Sequence, residues 1–245
     1  MIHHFSASQI TKFSNEPALW MIEYLMGVKG GVGPAAWRGR AVEAGLKVRM
    51  LKTGWDFEDC CAQAMTVFEE EAQGDLADDV QTQRDAIPDY LTQALLAAAD
   101  WTSLLTTQAR IETHVPGVDI PLIGYTDFQF PELTRDLKTT KQCPSSLDRK
   151  REHVWQMAIY HKATGDSQSL VYVTPKKWAE FPVGDDLIEP AWKAVCATVR
   201  AMAAILNDIE SRGVESVAAF YPPRDINHFL WDDATREKAR EVWNL

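Results

Sequence analysis

A chain of 245 residues, 46% hydrophobic and with nine Trp, is long enough to bury one large core and too apolar to stay disordered. No apolar run approaches the ~20 residues of a bilayer-spanning helix, and Met1-Ile2-His3-His4-Phe5 lacks the basic and apolar regions of a secretory signal, so a cytoplasmic protein is expected. The formal net charge of -10 excludes a uniformly basic nucleic-acid binder.

In chain order, Ser6 and Ser8 precede Gln9-Ile10-Thr11-Lys12-Phe13, a short capped helix, and Pro17 opens a second over 18–26. Gly27, Gly30, Gly31 and Gly33 end it. From Pro34 to Lys52 apolar residues recur at helical spacing through Trp37, Ala41, Ala44, Val48 and Leu51. Residues 56–74 and 77–104 read as two more helices around Gly74, an acidic helical hairpin at about 55–105 inserted in the main domain. The periodicity then shortens. Residues 109–115, 120–130 and 135–140 are strand-like, with Pro116-Gly117 and Pro131 as turns. Ser145-x-x-Asp148 has the form of a capping box for a helix running to Thr164, where Gly165 stops it. Residues 169–174 form a buried-type strand, a long helix covers about 187–212, Tyr221-Pro222-Pro223 is a loop, and a last helix runs from Asp233 to Trp243. The order of elements predicts one α/β domain with a central mixed sheet flanked by helices and a helical insertion.

Charge is concentrated in two places. Residues 56–89 hold eleven acids and one base, Arg84, so the rest of the chain is neutral. Residues 134–151 carry Arg135, Lys138, Lys141, Arg149, Lys150 and Arg151 against Asp136 and Asp148, a net +4. Cys60, Cys61, Cys143 and Cys196 have no metal-ligand spacing, and free or buried thiols are expected, with no iron–sulfur cluster.

The chemistry-bearing stretch is Gly124-Tyr125-Thr126-Asp127 followed by Asp136-Leu137-Lys138-Thr139-Thr140. If Pro131-Glu132 centres an even-length loop, Asp127 lies opposite Asp136, and strand alternation puts Lys138 on the face of Asp136. Opposed carboxylates repel unless a cation sits between them, and two Asp with waters and a phosphate suit Mg²⁺ or Mn²⁺. Lys138, two residues along that face, is placed to hold an attacking water or to neutralise charge on a phosphate. Lying on the active face and outside the core, it is expected to be removable without loss of the fold. Solvated acids with Lys138 as their ion-pair partner remain the plain alternative for this stretch alone.

The wider sequence resembles the RecB-type and phage exonuclease members of the PD-(D/E)XK nucleases. Ser6-Ala7-Ser8-Gln9-Ile10 with Phe13 and Pro17 is similar to the N-terminal motif, and Gly39 with Glu43 stands where G-x-x-x-(H/E) belongs. Gly124-Tyr125-Thr126-Asp127 is similar to G-x-x-D, Asp136-Leu137-Lys138-Thr139 to (D/E)-x-K-T, and Gln156 with Tyr160 to Q-x-x-x-Y. The resemblance implies a restriction-endonuclease-like core and a catalytic set of Asp127, Asp136, Lys138, Glu43, Gln156 and Tyr160, in which Asp127, Asp136 and Glu43 hold the metal. Gln156 and Tyr160 would steady the substrate and the lysine, and Lys141, Arg149, Lys150 and Arg151 would contact DNA phosphates. Glu43 replaces the His found in many RecB-like members. The expected function is a metal-dependent DNA exonuclease in recombination or end processing, with a phage-encoded origin as one reading and a homo-oligomer or recombination protein as partner. A nuclease like those of CRISPR adaptation, and a catalytically silent DNA-binding relative, are the alternatives.

Overall fold

The computed structural model describes residues 2–52 and 54–245. Its centre is a five-stranded mixed sheet in the order β1 (Thr106–Thr113), β2 (Leu122–Phe130), β3 (Leu133–Thr139), β4 (Ser167–Val173) and β5 (Trp178–Val183). All neighbours are antiparallel except β3 and β4, which run parallel because α7 (Arg151–Thr164) crosses over between them. β4 carries Leu170 and Tyr172 into one core and Val171 and Val173 into the other. A strand covered on both faces reads as a continuous apolar run, as Leu-Val-Tyr-Val does.

One core lies between the sheet and α1 (Ala7–Asn15), α7 and α8 (Asp185–Arg212). The other lies beneath α3 (Pro34–Leu51), α4 (Phe57–Ala72) and α6 (Ile87–Ala97). A small third cluster joins α2 (Pro17–Trp20) to α10 (Asp233–Trp243) through Leu19, Ile22, Trp231 and Ala239. Phe5 bridges to Leu122 in parallel, with Ile123 N–H donating to Phe5 O at 2.8 Å, so the start of α1 is pinned to β2. Among the described residues no helix is long and apolar enough to cross a membrane.

Several elements depart from the sequence reading. The helix expected over 77–104 is two, α5 (Asp78–Asp85) and α6, because Pro88 has no N–H to continue the first and instead sits in the opening turn of the second. The helix expected from Ser145 begins only at Arg151. Ser146 Oγ and Asp148 Oδ2 bond each other at 2.8 Å, so these side chains do not cap the backbone, while Cys143 and Leu147 are buried. The helix opened by Pro17 changes after Trp20 to a π-helical turn, Met21–Leu25. β5 was not among the expected elements; its Pro182 is tolerated because β5 is an edge strand. A short α9 (Val214–Ala218) follows α8.

Candidate active site

The β2–β3 hairpin turns at Pro131-Glu132, with Glu132 at φ 60°, and pairs Phe128 with Arg135, Gln129 with Thr134 and Phe130 with Leu133. This is the register expected from the sequence. The ladder stops one pair short of Asp127 and Asp136. Asp127 Oδ2 instead accepts the Leu137 N–H at 2.9 Å, which ties the two strands together where they part.

Asp136 is completely buried, and its two oxygens have different neighbours. Oδ1 accepts from Gln156 Nε2 at 2.8 Å, while Oδ2 lies 2.6 Å from Lys138 Nζ in an ion pair not aligned as a hydrogen bond. Gln156 Oε1 also accepts from Lys138 Nζ at 3.0 Å, so one amide holds both the acid and the base of the Asp-x-Lys pair. Gln156 Nε2 donates further to Tyr160 OH at 2.7 Å, and that hydroxyl donates to Tyr125 O at 2.6 Å. Gln156 and Tyr160 are i and i+4 on α7, one helix face. Tyr160 approaches so closely because residue 124 is glycine: a Cβ there would sit 2.8 Å from Tyr160 Cε1.

α3 contributes from the other side. A Cβ on Gly39 would lie 3.2 Å from Thr139 Oγ1, and Arg38, buried, donates to that oxygen at 3.2 Å while stacking 4.0 Å from the Tyr90 ring centroid. One turn on, Glu43 Oε1 accepts from Gln108 Nε2 at 2.5 Å. Gln108 has φ 55° and is absent from the motifs; a left-handed residue inside a strand leaves no periodic signal, so sequence reasoning missed it.

The electrostatics tie the three carboxylates together. Burial, then the charges of Asp136 and Glu43, hold the Asp127 carboxyl well above its ordinary value. Burial also raises Glu43, with Asp136 adding to it against the Gln108 hydrogen bond. Burial alone would lower Lys138, but Asp136, Asp127 and Glu43 outweigh it and keep the ammonium charged. Among the described residues no three His, Cys, Asp or Glu side chains are drawn into a preformed cage. The set nevertheless fits a hard divalent cation. Asp136 Oδ2 is buried without a hydrogen-bond donor, and the neighbouring carboxyls push the Asp127 pKa up, a mutual repulsion that a cation would relieve. Mg²⁺ characteristically keeps waters and takes one or two carboxylates beside a substrate phosphate, so a closed cage is not required.

The basic stretch divides. Arg135 turns inward to Glu180 at 2.8 Å, and Lys138 belongs to the site. Lys141, Arg149 and Arg151 are exposed and Lys150 is half-buried. Arg149 and Lys150 precede α7 and are not part of it; Arg151 opens the helix and bonds Asn15 Oδ1 at 2.8 Å.

A family model described as the PD-(D/E)XK nuclease superfamily matches residues 4–228. The chain belongs to that superfamily. This PD-(D/E)XK protein is also similar to the crystal structure of SSO0001, at TM-score 0.33 and 17% identity over 64% of this chain and 83% of that one. The crystal structure of LHK-Exo in complex with dAMP aligns at TM-score 0.37 and 12% identity, over 74% of this chain and 98% of that one. No curated protein matches it. The PD-(D/E)XK nucleases typically work with divalent metal ions, in keeping with the charge balance of the site.

Proposed function

We propose that this chain hydrolyses phosphodiester bonds in DNA, as an exonuclease acting in end processing or recombination, with Mg²⁺ or Mn²⁺ held by Asp127, Asp136 and Glu43. One observation carries the reading: Gln156 clamps the buried Asp136 and the Lys138 ammonium into a single unit. When bound, the cation would neutralise phosphate charge and make a coordinated water more acidic. Lys138 presents a fixed positive charge at Nζ to charge developing on phosphate oxygens. Gln156 keeps that ammonium from wandering, and Tyr160 anchors Gln156 to the backbone of β2. Lys141, Arg149, Lys150 and Arg151 would meet DNA phosphates. The assignment to DNA ends rests on the RecB-like order of motifs.

Removing Lys138 strands the buried Asp136 beside it, so a loss of stability is expected along with the loss of cleavage, in place of an unaffected fold. Lys138→Gln retains a donor and is the better variant. On labelled linear duplex with Mg²⁺ or Mn²⁺, wild type should degrade the ends and spare closed circles, and Lys138→Gln should lose about 100-fold or more. Melting adds an independent readout. A cation at about a hundred times its Kd contributes about 2.7 kcal/mol, and Asp127→Asn should forfeit most of that shift. Equal metal shifts in both proteins would remove Asp127 from the ligand set. Equal loss of closed circles would point to an endonuclease.

A further inference from the structure

Beside the carboxylates, between α1, the start of β2 and α7, lies a cavity of about 550 Å³. Tyr125, Gln156 and Tyr160 form the wall it shares with the Asp136–Lys138 unit, and a strand whose phosphate reached that unit would pass this opening next. Its chemistry differs from that of a phosphate cradle. Lys12 is already paired with Glu23, and Glu152 adds an exposed acid, so the lining offers phosphate no free positive charge. The surface is mainly apolar, with Ile123 and the Tyr125 ring on β2 and hydroxyls from α1 among its lining, over a floor of buried Leu19 and Ile159. Arg151, bonded to Asn15 of the lining, stands outside, where a backbone phosphate would run.

The lining also holds a donor whose tautomer is fixed. Tyr172 is completely buried, and its hydroxyl lies 2.6 Å from His153 Nδ1. The buried Tyr172 hydroxyl has His153 Nδ1 as its one hydrogen-bond partner among the described residues, so its hydrogen is satisfied by donating there, which leaves the imidazole proton on Nε2. Burial, reinforced by the Lys138 and Lys150 charges, pushes the imidazole down to about 3, which keeps it neutral. A neutral N–H donor in an apolar pocket suits the carbonyl or ring nitrogen of a heterocycle and not an anion.

We propose that this cavity receives one unpaired nucleobase of the DNA strand being cut, with His153 Nε2–H as its hydrogen-bond donor. The proposal rests on the nuclease reading above and deepens it: the preferred substrate has a melted or single-stranded end. Enzymes that seat an extruded base in a pocket read it by such hydrogen bonds and by stacking on apolar walls.

The test uses metal-free full-length protein in EDTA, with a short single-stranded oligonucleotide carrying fluorescent aminopurine and the blunt duplex of the same sequence. Wild type should quench the fluorophore and bind the single strand more tightly. Thr11→Trp, which fills the cavity, and His153→Phe, which removes the donor, should each weaken single-strand binding at least about fivefold, the lower end for losing a seated base. The two variants act from different elements, and a melting curve confirms that each is folded. Unchanged quenching and strand preference in the folded variants overturns the pocket, even if wild type cuts DNA with Mg²⁺. Failure of wild type to cut any DNA while quenching persists and both variants lose it overturns the nuclease reading and leaves the base pocket standing. Displacement of the oligonucleotide by free deoxynucleoside at equal affinity would make the occupant a free nucleoside and overturn the strand assignment.

Discussion

Asp136 has no solvent exposure, and a charge so placed persists only because Lys138 and Gln156 answer it. Glu16 is the contrasting case. It is buried at the junction of α1 and α2; Oε2 accepts from the Arg224 N–H at 3.3 Å and Oε1 has no donor. Burial outweighs the hydrogen bond and charge of Arg224 and raises its pKa. A raised carboxyl favours folding while protonated and costs stability once pH climbs through its folded value. Glu16→Gln should therefore melt higher than wild type at neutral pH, by about 2–4 °C if the unsatisfied charge costs about 1 kcal/mol. The gap should close as pH falls to the ordinary glutamate range; a gap that widened toward acid would refute it. At this scale Asp127, Asp136 and Lys138 were legible because period-two alternation is written in the strand itself. Glu16 was not, because nothing local says that Arg224 lies over it.

At the scale of elements, α3 and α4 meet where α3 has no side chain. A Cβ on Gly45 would lie 2.8 Å from Cys60 O and 3.0 Å from Leu91 Cδ1. The nearer atom is backbone and cannot swing aside, so Gly45→Ala should destabilise by about 1–3 kcal/mol, measurable as a lower denaturant midpoint with unchanged slope. A midpoint equal to wild type would show that the two helices can slide apart at no cost. Gly39, by contrast, meets only the Thr139 hydroxyl. The helix was plain from apolar spacing, and Gly39 stood in a motif; Gly45 stood in none, since helix crossings are not written in one helix. The late start of α7 was hidden in the same way, since Cys143 and Leu147 are buried in the loop before it, whereas β5 pairs with β4 just before it and was missed although its partner is local.

Across the whole molecule the charge is divided between opposite signs. The acids of 56–89 ride on α4 to α6, partly answered by Arg84 to Glu69 and by Arg40 to Glu71 at 2.9 Å. Of the basic stretch 134–151, Lys141, Arg149 and Arg151 are exposed and Lys150 half-buried. DNA docking on the basic side should be salt-sensitive, and reversing Arg149 and Lys150 together should flatten the dependence of log affinity on log salt by about 0.9 for each phosphate no longer neutralised. Equal weakening on neutralising Glu69, Glu70 and Glu71 would place DNA on the other side. The sequence carried this polarity, but not that Arg135 would be withdrawn to Glu180 and Lys138 to Asp136.

The parallel pairing of β3 with β4 also has a consequence in time. Every residue of the proposed carboxylate–lysine unit lies between Glu43 and Tyr160, so all emerge from a ribosome before β4, β5 and α8. The β1–β2–β3 meander closes short loops and can form early, whereas α7, which packs on α1, β1 and β2, gains the rest of its packing only once β4 aligns beside β3 and α8 lies against it. Gln156, which clamps Asp136 to Lys138, rides on α7. A nascent chain would thus carry all the proposed reactive groups before the packing that steadies α7 against them is complete, a delay of competence built into the order of translation.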